Sequence, residues 1–190
     1  MRDLGALIAQ GRRLDAARAV SIVLGCCDTL ARDQPMAIDP TRFGVSDAGE
    51  VTLLPWAPTA RALGYIAPEL RPTRGEDHIV RRELASGESE HAGHAAPTVR
   101  TEAEVAAAAV FALGVMLWEL LAGRLLFVGE TDYQTMTLSL AAVVPVLEDL
   151  PVELDAIVRK ALAKHPGDRY ASPAVLADAL AEFLADRALN

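Results

Sequence analysis

The 190 residues, 52% of them apolar, can bury a full hydrophobic core and suit one domain spanning 1–190. A formal net charge of −8, with basic residues in isolated pairs such as Arg12-Arg13 and Arg81-Arg82, argues against nucleic acid or an anionic membrane as the main partner. Cys26 and Cys27, adjacent in an apolar run, can form neither a normal bridge with each other nor a CxxC metal site, and read as small core residues of a reducing, cytoplasmic compartment.

The N-terminus shows no apolar stretch or cleavage site of a signal peptide. Leu4, Leu7 and Ile8 predict a short amphipathic helix closed by Gly11, and a second helix follows from Leu14 to Ala31. Phe43 and Val45 then face Val51 and Leu53 across the turn Ser46-Asp47-Ala48-Gly49, a small hairpin in an otherwise helical chain. Residues 71–104 carry scattered charge, Gly, Ser, Pro and His without a period and read as a mobile insertion. Glu88, Glu90, His91 and His94 lie there, but nothing structured would hold them as ligands, so no metal is expected.

The apolar run Val105–Trp118 is short for a membrane span and suits a buried helix, which extends to about Leu121 and stops at Gly123. A looser segment occupies the 130s and 140s. Leu154, Ile157, Val158, Ala161 and Leu162 mark the buried stripe of a helix from about Pro151 to Lys164, with Pro151 in its first turn. In the last helix Ser172 is the N-cap, Pro173 opens it, and the stripe is Val175, Leu176, Ala179, Leu180, Phe183 and Leu184.

Three of these stretches resemble the C-terminal lobe of bacterial eukaryotic-like Ser/Thr protein kinases. Ala67-Pro68-Glu69, within GYIAPEL, is similar to the motif that ends the activation segment. VFALGVMLWELLAGRLLF (110–127) resembles the central buried helix, and LDAIVRKALAKHPGDRYAS (154–172) the last conserved block. The resemblance implies a mainly α fold, a kinase-like C-lobe with one small β-hairpin, and no N-terminal lobe. It also implies a buried ion pair between Glu69 and Arg169. Ala109 and Arg169, 60 residues apart, keep the family's spacing between the central-helix Asp and that Arg.

The same register tests the catalytic parts. Phosphoryl transfer needs a metal-binding Asp and Asn, a phosphate-contacting Lys and an Asp that orients the hydroxyl. The family's Asp-Phe-Gly falls on Pro55-Trp56-Ala57, the catalytic Asp on Ala37, the Lys on Asp39, the Asn on Arg42 and the central-helix Asp on Ala109. With Met36 in place of the catalytic-loop Arg, Thr59 loses its partner as a phosphosite.

These changes imply a chain that is not an enzyme, takes no ATP or other cofactor, and acts as a pseudokinase-like scaffold or regulatory module. Met36, Ile38, Leu54 and Trp56 would form an exposed lobe-facing surface for a protein partner or a second copy. Alternatives are a helical adaptor unrelated to kinase signalling and the C-lobe half of a split kinase-like assembly.

Overall fold

The computed structural model describes residues 2–32, 38–55, 60–70 and 101–189. Its elements in chain order are β1 (Arg2–Asp3), α1 (Leu4–Ala9), α2 (Ala16–Arg32), β2 (Phe43–Val45), β3 (Val51–Leu53), α3 (Glu102–Ala122), α4 (Asp132–Ala141), α5 (Val152–Ala161) and α6 (Pro173–Leu189). Short 3-10 turns cover Pro40–Arg42, Ala60–Tyr65, Pro68–Leu70 and Pro166–Asp168. The described part is mainly helical.

Helix α3 is the axis of the core. From Ala107 to Leu121 every residue is buried, because α2, α5 and α6 all pack against it. An all-round apolar sequence of this kind is stable only when covered on every side. The helix is 21 residues long, more than the 14-residue run suggests, and is long and apolar enough to cross a membrane by length and composition; most of it lies inside the protein.

The run is extended at both ends, by Glu102 to Glu104 before it and Glu119 to Ala122 after it. Thr101 caps the helix, its hydroxyl accepting from the Glu104 N–H while the Glu104 carboxylate accepts from the Thr101 N–H. Residues 101–104 therefore belong to the helix and its cap, which corrects the expected insertion boundary of 71–104; residues 71–100 lie outside the described residues.

The hairpin pairs Phe43 with Leu53 and Val45 with Val51, as the alternation implied. A third strand corrects the expectation of a lone hairpin. β1 pairs antiparallel with β2, Arg2 opposite Val45 and Asp3 opposite Gly44. Asp3 then caps α1 by accepting from the Ala6 N–H at 2.6 Å. One residue thus ends a strand and starts a helix, and two residues are too few to show an alternating pattern.

The loose segment of the 130s is also a helix, α4, capped by Thr131, whose hydroxyl accepts from the Gln134 N–H. It carries no amphipathic stripe because it buries little: Ser139 is its one fully buried side chain. Helix α5 begins at Val152, with Pro151 as the residue before it, and buries the expected stripe. In α6 Leu176, Leu180 and Phe183 are buried while Val175 is exposed, so the buried face is narrower than expected. Arg13, read as a solvated surface charge, donates from its guanidinium to the carbonyls of Leu121 and Glu148 and so satisfies the end of α3.

Two predictions follow from this packing. Gly123 ends α3 with φ of +66°, and a Cβ there would sit 2.7 Å from the Arg13 backbone nitrogen. Gly123→Ala lowers stability by about 1–2 kcal/mol from the left-handed conformation alone, seen as a lower Tm; an unchanged Tm would contradict the close approach.

Burial pushes the Cys27 thiol up to about 12, helped by the charge of Asp28, and burial together with Cys27 pushes Cys26 up as well. Unfolded thiols ionise near about 8.5, so above that pH the folded state holds protons that the unfolded state has lost. The thiol contribution to stability is therefore intact below about pH 8.5 and declines as pH rises toward about 12. At pH 8 the native chain resists a thiol-reactive disulfide and both thiols react once denaturant is added; rapid reaction of the native chain would contradict their burial.

Candidate functional site

The segment 60–70, containing GYIAPEL, is tied to the helical core at three points. Tyr65, buried, donates its hydroxyl to Glu119 Oε2 at 2.5 Å, and Glu119 Oε1 accepts from the Leu126 N–H at 2.9 Å. A buried carboxylate in the last turn of the most apolar helix is thereby satisfied on both oxygens, as burial requires. Ser139 of α4, also buried, donates to the Ile66 carbonyl at 3.2 Å.

The third tie is the pair that the resemblance implied. Arg169 Nη1 and Nη2 reach Glu69 Oε1 and Oε2 at 2.7 and 2.9 Å, a parallel fork. The remaining donors are also used: Nε on the Ala163 carbonyl at 2.7 Å, Nη1 on Ala107 at 3.0 Å and Nη2 on Lys164 at 3.0 Å. All five N–H groups of the guanidinium are satisfied, and its Cζ lies over the Phe111 ring, 4.9 Å from the ring centre. The Arg169 side chain has no solvent contact and that of Glu69 retains 20%, so the acid stands at the edge and the base inside.

The other positions fall as follows. Asp39 is buried; its Oδ1 accepts from the Thr41 N–H at 2.8 Å and from the Thr41 hydroxyl, which makes it the N-cap of the 3-10 turn Pro40–Arg42. Asp39 Oδ2 and Arg42 Nε are buried without a hydrogen-bond partner among the described residues. Sequence reasoning weighed Asp39 against kinase positions, the Lys and, in a shifted register, the catalytic Asp; Asp followed by Pro at the first helical position is the signal for its cap.

Pro55 is exposed, and Ala109 is buried on α3. Ile38 and Leu54 are half-buried, and Leu54 donates its N–H to the Arg42 carbonyl at 2.7 Å, extending the strand pairing. Ile38 and Ala109 share the wall of a cavity of about 430 Å³ with Leu30, Ala31 and Ala106, between the end of α2 and the start of α3. Met36, Ala37, Trp56, Thr59 and the Glu88–His94 cluster lie outside the described residues. Among the described residues no group of three or more His, Cys, Asp or Glu could hold a metal ion.

No protein-family model matches the chain. It is similar over 81 residues, 40% of its length, to the tyrosine-protein kinase MasK of Myxococcus xanthus, at 42% identity. Over 83 residues, again 40%, it is 32% identical to the serine/threonine-protein kinase PknL of Mycobacterium tuberculosis, and equally to that of Mycobacterium bovis. These matches span 12% of the first relative and 21% of the others. The chain thus contains a protein-kinase-related region. The relatives are named kinases, which corrects the expectation that the chain is not an enzyme: an enzyme is possible.

Arg169→Lys keeps the positive charge but has three donors on one atom where the site presents carbonyls and carboxylate oxygens in a planar fork. The substitution costs about 3 kcal/mol, read from denaturant unfolding. A loss below about 0.5 kcal/mol would mean that charge alone suffices.

Proposed function

We propose that the chain is a protein-kinase-like helical region that works by binding protein, as a scaffold or regulatory module within kinase-related signalling. The observation that carries this reading is the Glu69–Arg169 fork, which joins the 60–70 segment to α3 and to the 162–172 connection across 100 residues of sequence. Together with the two-fifths similarity to bacterial kinases it supports a C-lobe-like arrangement. The edge running from Ile38 to Leu54 is the proposed interface, for a protein partner or a second copy, and Met36 and Trp56, outside the described residues, are included in it from the sequence alone. Two buried free cysteines support a reducing, cytoplasmic location.

A second reading is favoured by the names of the relatives: the chain is one half of a split kinase-like assembly whose other polypeptide brings the nucleotide-binding parts. In that case phosphoryl transfer belongs to the assembly.

Light scattering on the purified chain, with and without Mg-ATP, separates the two. The interaction reading predicts a mass above the 20.2 kDa monomer, reduced to that of one chain by Leu54→Asp at unchanged Tm and indifferent to nucleotide. A monomer whose Tm rises with Mg-ATP would favour the split assembly, and a monomer that Leu54→Asp leaves unaltered in every respect would remove the edge as a site of self-association.

A further inference from the structure

Residues 142–151 join α4 to α5 without helix or strand, and no backbone hydrogen bond ties 143–148 to another element among the described residues. Side chains of the core hold this segment instead. Trp118, buried on α3, donates from Nε1 to the Pro145 carbonyl at 3.1 Å, and Arg13 donates from Nη2 to the Glu148 carbonyl at 3.3 Å. Val144 and Leu147 pack inward against the core, each only partly buried. Two side-chain hydrogen bonds and two partly buried residues are a weak hold, whereas α3 beneath is buried at every residue from Ala107 to Leu121.

Both ends of the segment are left-handed without being glycine. Ala142 has φ of +50° and Asp149 of +65°, and no other non-glycine among the described residues has a positive φ. Ala142 ends α4, where glycine is the usual residue because its missing Cβ removes the steric cost. An L-residue stays in this region only while its surroundings impose it. Here the surroundings include the two tethers and the inward side chains that lie between Ala142 and Asp149. Release of the tethers lets both ends relax, so strain in the closed form favours opening and the two residues serve as hinges.

We infer that residues 143–148 form a strap that opens as a unit about Ala142 and Asp149 while the helical core stays folded. Opening frees the Trp118 indole N–H, whose ring keeps Arg124 over it at 4.8 Å, and leaves Arg13 on the Leu121 carbonyl through Nε at 3.0 Å. Asp149 also lines a cavity of about 330 Å³ with Arg13, Leu14 and Leu121, so movement about this hinge alters the cavity. The strap is a gate over an aromatic place on the core, and the inference holds whichever reading of the chain's function is right.

Hydrogen exchange of the purified chain, followed by NMR as urea is raised below the unfolding transition, reads the strap through the Trp118 indole N–H. The chain has two Trp, and Trp56→Phe assigns the signal. The opening constant for this proton is expected to be at least about tenfold above that of the slowest α3 amides and nearly independent of urea, because local opening exposes little surface. Ala142→Gly relieves one hinge and lowers that constant about threefold. An indole proton with the same opening constant and the same urea dependence as the slowest α3 amides would mean that the segment leaves only on global unfolding, and overturns the inference. So does an opening constant that Ala142→Gly leaves unchanged.

Discussion

A guanidinium can be taken out of water only if all of its donors are met, and Arg169 is the place where this chain meets that demand. Its partners come from three parts of the sequence: Glu69 in the 60–70 segment, Ala107 near the start of α3, and the Ala163 and Lys164 carbonyls after α5. Removing any of them leaves an N–H or a charge unsatisfied in a buried place, so these three parts are positioned together. Tyr65 with Glu119, and Ser139 with Ile66, continue the same logic along the segment, using single polar side chains placed on otherwise buried surfaces.

The parts of the fold that were legible in the sequence are those with strong local chemistry. Alternation set the register of Phe43 to Leu53 and Val45 to Val51, a left-handed glycine ended α3, and a clean 3.6-residue stripe marked α5. The illegible parts lack such a pattern. Helix α4 buries one small hydroxyl, so it presents no stripe, and β1 is two residues long. The start of α3 was within reach, since Thr101 and Glu104 form a capping box, but the polar residues around it hid it inside a stretch read as insertion.

The candidate site divides in the same way. Glu69 and Arg169 lie 100 residues apart, and nothing local connects them; the kinase resemblance supplied that pair. Tyr65 and Glu119 were missed, although an acid interrupting the apolar run that follows Glu104 signals a buried hydrogen-bond acceptor. Asp39 was read by what a kinase would carry there, while its structural task is to cap a turn. The exposure of Tyr133, Val143 and Val146 was not legible, because exposure is a tertiary property that sequence periodicity does not report.

The measurement that bears most directly on this account is a double-mutant cycle on Glu69→Gln and Arg169→Gln, with each variant's stability taken from denaturant unfolding. The account predicts that each single change costs about 3 kcal/mol and that the double variant costs far less than their sum, because the second change removes a charge that the first had stranded. Additive losses, within about 0.5 kcal/mol, would show two independent side chains and contradict the claim that this pair holds the segment to the core.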